Sequence, residues 1–312
     1  MILLHTSLPK FLEKFGTEDA CLEAVSQAKW PRGFRCPYCE HDYGHQLSRE
    51  RTMQCASCRR QTNITSNTIF QDSHVPLTNW FLALYLIAND KGGISSTRLA
   101  EHLGVNRKTT DLMLRKIRIA MGNRDSKLTL AGYIEMDEAF LGGRSNTKSL
   151  GKSPFDGKVQ VLVMVESENM AAGNLVLTVI PDSKIDTLKK AVGERVDDDP
   201  GGQVFRTDGL GRHHVVRTLG HFLNMSVMTK EQLDSSMACL SLAVSHLKRF
   251  FKGTYHHFCR TYVQDYLNEF AYRWNRREFK SRKVSHLITA CVLHPAVTAD
   301  FAKTKACFLF AA

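Results

Sequence analysis

The stretch Gly132-Tyr133-Ile134-Glu135-Met136-Asp137-Glu138-Ala139-Phe140-Leu141-Gly142-Gly143 is where the chain changes period. Before it, apolar residues recur at helical spacing; from Tyr133 to Asp137 they alternate as in a strand, which ends in the acidic pair Asp137-Glu138. Downstream, Gln160 to Val165 and Leu175 to Ile180 read as two further strands, joined by a polar turn from Ser167 to Gly173. Ser183 caps a helix through Val192, and Gln203 to Thr207 is a fourth strand running straight into Asp208-Gly209. A helix from Gly211 to Leu219, a strand at Met225 to Met228 and a long helix from about Asp234 to Lys252 complete the run.

Three strands, then helix, strand, helix, strand, helix is the order of the RNase H-like metal-dependent nucleases, which this segment resembles. The expected fold class is α/β, an RNase H-like mixed sheet flanked by helices. In such a sheet the end of the first strand lies beside the end of the fourth, so Asp137 and Asp208 meet although 71 positions separate them. Two carboxylates at neighbouring strand ends suit a pair of Mg²⁺ or Mn²⁺ ions about 3.5 to 4 Å apart. Taken singly, each Asp has a plainer account, since a strand-end Asp often forms a turn and Asp-Gly is a common turn dipeptide. The metal expectation rests on their matching places in the strand order.

Upstream, Cys36-Pro37-Tyr38-Cys39 and Cys55-Ala56-Ser57-Cys58 form two CxxC knuckles separated by fifteen residues, a spacing suited to one tetrahedral ion. Four thiolates from Cys36, Cys39, Cys55 and Cys58 fill the tetrahedron of a Zn²⁺ and leave no open position, so the expected role is structural. Arg35, His41, His45, Arg49, Arg51, Arg59 and Arg60 surround the knuckles and give the ribbon a basic surface fit for an acidic polymer. The other cysteines, Cys21, Cys239, Cys259, Cys291 and Cys307, show no pairing pattern, which points to a reducing cytoplasm. No apolar run reaches the roughly 18 residues that span a bilayer, and Met1 to Lys14 reads as no signal peptide.

The formal net charge of +11 favours contact with phosphates or an anionic surface. It is unevenly spread: residues 132–241 hold 12 basic and 15 acidic side chains, against 18 and 12 before them and 12 and 4 after. An acidic, cation-binding middle between flanks that hold a polyanion has this pattern, as does ordinary solvated surface charge. Within the first flank, Asn79 to Asn89 reads as a helix ended by Gly92-Gly93. Ser95-Ser96-Thr97 caps a second helix carrying Leu99, Ala100 and Leu103, Gly104 makes a turn, and Val105-Asn106-Arg107 opens a third. That is a helix-turn-helix pattern with Arg107, Lys108, Thr109 and Thr110 expected on the exposed start of the last helix, within reach of DNA, and Arg115, Lys116 and Arg118 continuing it. Such patterns also serve as plain packing units.

The cysteine knuckles, Met136-Asp137-Glu138-Ala139-Phe140-Leu141-Gly142-Gly143, Thr207-Asp208-Gly209, and the run from Leu247-Lys248-Arg249 through Gly253-Thr254-Tyr255-His256-His257 to Tyr266-Leu267-Asn268-Glu269-Phe270-Ala271-Tyr272-Arg273-Trp274-Asn275-Arg276-Arg277 together resemble the zinc-ribbon insertion-sequence transposases with a DDE-type domain. The similarity runs from about residue 10 to 280. It implies a DNA transposase that binds the terminal inverted repeats of its element, cuts and joins strands with Mg²⁺ or Mn²⁺, meets double-stranded DNA as both element end and target, works as a homo-oligomer on DNA and uses no membrane. Its first two carboxylates fall on Asp137 and Asp208.

The third catalytic position departs from the pattern. In such transposases a Glu, His or Asn lies two helical turns before a Lys; the Lys is Lys248, and the position falls on Ser241. A seven-residue step is nearly two full turns, so Ser241 and Lys248 share a helix face while His246 points elsewhere. Glu269 lies on the next helix, and Glu231 and Asp234 come before or at the start of this one. A hydroxyl is a poor substitute for a carboxylate or imidazole at a metal, which keeps open a catalytically impaired derivative acting as a DNA-binding protein or repressor. Lys248, Arg249 and Lys252 are expected phosphate contacts. Tyr262, Tyr266, Phe270 and Trp274 repeat every four residues, more the core stripe of a helix than a stacking platform for bases. The organisation expected is an N-terminal helix over 1–30, the zinc ribbon over 31–72, the helix-turn-helix segment over 76–122, the catalytic domain over 130–280 and a C-terminal tail over 281–312.

Overall fold

The computed structural model describes residues 7–47, 51–142, 158–169, 171–199, 201–208, 211–225, 236–255 and 258–297. Of the residues singled out above, Met1, Arg49, Gly143, Gly209, Met228, Glu231, Asp234, His256, His257 and Cys307 lie outside that set. The chain forms two compact units, one built from residues up to Arg124 together with those from Arg276 onward, the other from Asp125–Asn275.

The first unit opens with two helices where one was expected, α1 (Leu8–Phe15) and α2 (Glu18–Lys29). The break falls at Gly16, where any Cβ would stand 2.5 Å from the Leu12 carbonyl oxygen. Thr17 then caps α2 by accepting the Ala20 N–H. Phe11 and Phe15 stack against Tyr85 and Phe81 of α3 (Leu77–Asn89). The ribbon has three short antiparallel strands, β1 (Gly44–Gln46), β2 (Thr52–Cys55) and β3 (Gln61–Asn63). Each strand is only three or four residues long.

The helix-turn-helix consists of α4 (Ser96–Leu103) and α5 (Arg107–Asp125), with Ser95 accepting the Arg98 N–H and Gly104 in the left-handed region at φ 63°. Thr110 is buried rather than exposed, its hydroxyl donating to the carbonyls of Ser96 and Arg107 and so pinning α5 to α4. Lys116 and Arg118 also turn inward, Lys116 donating to the Ile69 carbonyl. The residues after 280 are more than a tail. A helix over Lys283–Leu293 buries Val284, Leu287, Ile288 and Cys291 and packs on α2 and α3, and the Cys291 carbonyl accepts the Ile69 N–H.

The second unit is the α/β fold expected. β4 (Tyr133–Leu141) lies central, antiparallel to β5 (Val159–Glu168), which pairs antiparallel with β6 (Ala171–Ile180). On its other side β4 runs parallel to β7 (Val204–Thr207), and β7 parallel to β8 (Phe222–Met225). The spatial order β6-β5-β4-β7-β8 is that of an RNase H-like sheet. β4 continues to Leu141 instead of ending at Asp137, because β5 keeps pairing with it up to Leu141–Val159. What ends at that level is β7. β8 begins at Phe222, earlier than expected, in register with Val204 at the start of β7.

Strand alternation sends side chains to two cores. Ala139, Leu141, Val161, Val163, Val165, Leu175 and Leu177 meet Leu240, Ala243, Leu247 and Phe251 of α8 (Ala238–Thr254) and Val263, Leu267 and Ala271 of α9 (Val263–Trp274). Ile134, Met136, Leu162, Met164, Val176 and Phe205 meet Leu188 and Val192 of α6 (Ile185–Gly193) and Val215 and Val216 of α7 (Val215–Thr218). β5 is covered on both faces, which is why it reads as an unbroken apolar run. By the same period of two, Glu135 and Asp137 share the face of β4 that carries Ala139 and Leu141, the α8 side.

Glu135 is buried and accepts the Leu240 N–H at 2.7 Å, answering one of the amides left open in the first turn of α8. Replacing Glu135 by Leu, of similar size but with no acceptor, strands that buried N–H and is expected to cost about 1–3 kcal/mol in equilibrium unfolding. Glu135→Gln keeps an oxygen and is expected to cost clearly less.

Candidate active site

The ribbon site is built by two repeats of one backbone turn. In the first knuckle the Glu40 N–H donates to the Cys36 carbonyl and the Cys36 N–H to the His41 carbonyl; in the second, the Arg59 N–H donates to the Cys55 carbonyl and the Cys55 N–H to the Arg60 carbonyl. Glu40 and Arg59 both take positive φ, 60° and 58°, at the position after the second cysteine of each knuckle. The four sulfurs lie within 4.8 Å of one another, with Cys36–Cys58 and Cys39–Cys55 pairs at 3.6 Å. A tetrahedron of zinc–sulfur bonds near 2.3 Å has edges of about 3.8 Å, so the four residues fit Zn²⁺. Burial opposes the Cys36 thiolate, but the amides of Tyr38 and Cys39 bring its pKa down to about 6.

The second site lies at the end of the β4–β7 pairing. Tyr133, Ile134 and Glu135 stand opposite Val204, Phe205 and Arg206, and the same offset sets Asp137 opposite Asp208. Beyond the Glu135–Arg206 pair the β7 edge of β4 has no strand beside it, and the turn Gly211–His214 supplies the neighbours there. Arg212 grips Glu138 through two parallel bonds, Nε to Oε1 at 2.8 Å and Nη2 to Oε2 at 2.6 Å. His213 is fully buried, with Nδ1 3.1 Å from Asp208 Oδ1 and Nε2 3.5 Å from Glu138 Oε2. Asp137 accepts the Glu138 N–H at 2.7 Å. Desolvation by burial, then the charge of Asp208, push the Asp137 carboxyl up to about 6. Glu138 is the opposite case: despite burial, His213 and Arg212 hold it down at about 2. A buried carboxyl whose ionisation is opposed by desolvation and by a neighbouring carboxylate is a donor that a divalent cation satisfies.

Ser241 is half-buried in the first turn of α8, one residue beyond the amide that Glu135 holds, with Lys248 exposed two turns later and Arg249 and Lys252 also exposed. The alternatives to Ser241 are engaged elsewhere. Glu269 is buried between α8 and α9, accepting from the Tyr255 hydroxyl at 3.3 Å and from Arg273 at 3.1 Å, and the exposed His246 sets its ring against Trp274. Phe270 and Trp274 pack on the α8–α9 core, as the four-residue repeat predicts. Arg107 and Lys108 are exposed and Thr109 half-buried at the start of α5; Arg107 makes an exposed ion pair with Asp111 at 3.9 Å. Arg212 and His213 escaped the sequence reading. Their one signal was the cluster Arg212-His213-His214 a few residues after Asp208.

Residues 129–275 match the ISXO2-like transposase domain, and residues 16–61 match the transposase zinc-ribbon domain. The chain belongs to the zinc-ribbon insertion-sequence transposases with a DDE-type domain. An uncharacterized protein in transposable element ISH50 of Halobacterium salinarum (strain ATCC 700922 / JCM 11081 / NRC-1) is 27% identical over 134 residues, 42% of this chain and 44% of that protein, so the match spans less than half of the relative's length. A chain of a pre-cleavage Mos1 transpososome aligns over 67% of this chain and 77% of its own at 10% identity, with a TM-score of 0.27.

Metal analysis of protein purified without chelator is expected to find one zinc per chain, and Cys39→Ser to lose it with the ribbon structure. The Asp137 shift has a sign that can be read in stability. A carboxyl raised from 3.8 to about 6 burdens the fold only where it must ionise, so the penalty is absent below pH 3.8, grows up to about 6 and is complete above it. In metal-free protein Asp137→Asn is therefore expected to stabilise by on the order of 2 kcal/mol at pH 7.5 and by nothing measurable near pH 3.5, as read from denaturant midpoints at the two pH values.

Proposed function

We propose that the chain is a DNA transposase that binds the terminal inverted repeats of its element and carries out metal-dependent strand cleavage and strand transfer. The observation that supports this is the parallel register of β4 and β7, Tyr133–Val204 through Glu135–Arg206, whose offset continued by two residues pairs Asp137 with Asp208. Mg²⁺ or Mn²⁺ held there would activate the attacking water or 3′-hydroxyl and stabilise the leaving oxygen. The chain's own residues supply the rest. Asp137 and Asp208 hold the cation, and the Arg212–Glu138 ion pair fixes the β4 edge beside them. Lys248, Arg249 and Lys252 line up on exposed positions of α8, where they meet the phosphates of the bound strand.

DNA is engaged further by Arg107, Lys108 and Thr109 at the start of α5, placed as a recognition helix presents its first turn to the major groove, and by the exposed arginines of the ribbon. Two DNA segments, element end and target, call for more than one copy of the chain on DNA. No helix among the described residues is long and apolar enough to cross a membrane; the proposed site of action is the cytoplasm.

A second reading is favoured by Ser241: with a hydroxyl at the third position, the chain binds element ends without cutting them and represses active copies. A single assay separates the two. Linear DNA carrying the element ends, incubated with Mn²⁺, is expected to be nicked and joined by the wild-type chain, and Asp208→Asn to lose cleavage by at least 100-fold while keeping end binding. Wild-type protein that binds the ends yet never cuts them favours the repressor; failure to bind the ends at all contradicts both. Replacing Arg107 and Lys108 together by Ala is expected to weaken end binding and to flatten its dependence on log salt by about two units, since each of the two side chains neutralises one phosphate.

A further inference from the structure

A groove of about 920 Å³ in the first unit has no task in the proposed function. It runs between α2, the entry to the ribbon and the helix over Lys283–Leu293. Its walls carry rings: Trp30 and Phe34 come from the ribbon entry, Phe279 and His286 from the segment that follows Arg276, and all four are half-buried. Trp30 meets Phe34 edge-on at 5.0 Å, and Phe279 meets His286 edge-on at 5.3 Å. An edge-on contact covers at most one face of one ring, so each pair keeps ring surface that its partner does not cover.

Both lips of the groove are basic. Lys29-Trp30-Pro31-Arg32-Gly33-Phe34-Arg35 holds three cations and no acid, and Arg276-Arg277-Glu278-Phe279-Lys280-Ser281-Arg282-Lys283 holds five cations against one acid. Cations also lie against the rings: Lys29 Nζ is 4.8 Å from the centre of Trp30, and the Arg282 guanidinium 5.3 Å from the centre of Phe279. Between Phe279 and Arg282, Lys280 takes φ 43° and ψ −114°, a strained conformation of the kind that persists where the surroundings impose it. An apolar helix laid in the groove would desolvate Arg282 and offer it no counter-charge. Nucleotides fit better, since their flat bases stack on aromatic faces and guanidinium planes while their phosphates follow basic lips. In a duplex the base faces are taken by neighbouring pairs, so the occupant is unpaired.

We propose that this groove holds a short run of unpaired nucleotides, with bases stacked on Trp30 and Phe279 and Arg282 on a phosphate beside them. The proposal rests on the DNA reading above and goes further, in naming a single-strand site apart from the duplex contacts of α5, α8 and the ribbon arginines. Cutting at an element end frees a strand terminus to unpair, and the groove is where that terminus is held.

The test uses the full-length, zinc-loaded chain with a single-stranded decamer of 5-iododeoxyuridine, irradiated and mapped by mass spectrometry, and in parallel with duplex DNA carrying the element ends. The crosslink is expected on Trp30, Phe34 or Phe279. Phe279→Leu keeps the apolar bulk but not the ring, and is expected to weaken decamer binding by about fivefold or more, while Phe279→Tyr stays within about twofold of wild type. Arg282→Gln is expected to flatten the dependence of decamer binding on log salt by about 0.7. Duplex binding by all three is expected to match wild type. Should Phe279→Leu fail to fold by circular dichroism, Trp30→Leu carries the same forecast. Wild-type protein that binds the duplex ends but not the decamer overturns the proposal and leaves the transposase reading standing; protein that binds neither contradicts both. A crosslink on the exposed ribbon tyrosines Tyr38 or Tyr43 instead, decamer binding indifferent to Phe279→Leu, or self-association of the DNA-free chain that Phe279→Leu abolishes, also overturns it, the last by showing a second copy in the groove.

Discussion

Parallel pairing of β4 with β7 is the constraint from which the rest of the second unit follows. Parallel strands need a long crossover, and the chain spends β5, β6 and α6 on it before β7 returns to the other edge of β4. That return fixes the register, Tyr133 on Val204 through Glu135 on Arg206, and register in a sheet leaves no freedom: a slip of one residue turns Asp137 to the opposite face and replaces it with Glu138. The two cores lock it, since Ile134 and Met136 must meet α6 and α7 while Ala139 and Leu141 meet α8. Apolar packing on both sides thus holds Asp137 in a desolvated place near Asp208, and burial first and the Asp208 charge second raise its pKa.

The same geometry explains why β7 stops at Thr207 while β4 continues. The open edge admits the turn carrying Arg212 and His213, and that turn neutralises Glu138, whose burial otherwise costs far more than an exposed carboxylate. α8 is tied to the same strand by the Glu135–Leu240 hydrogen bond. The Asp137 carboxyl, the neutralising turn and the packing helix therefore depend on a single nine-residue strand.

Much of this was legible in the residues. The change of period at Tyr133, the cysteine knuckles and the Ser95 and Gly104 signals are local physics, and the elements form where that physics puts them. What escaped was tertiary in origin. β4 outruns Asp137 because β5 pairs along its whole length, and no local pattern records how long a partner is. Lys116 and Arg118 look like a solvated face by charge alone, yet both are buried and Lys116 donates to the Ile69 carbonyl. The segment after 280 lacks strong helix caps, so its apolar run reads as a tail until α2 and α3 cover it. Arg212 and His213 carry no motif spacing; only the fold brings them beside Glu138 and Asp208.

The most direct measurement is the anomalous difference density, at the manganese edge, of crystals of the full-length chain soaked in Mn²⁺. A peak bridging the carboxylates of Asp137 and Asp208 is the predicted result. Well-ordered carboxylates with no peak between them at saturating Mn²⁺, or a peak held by Glu269 instead, would contradict the account.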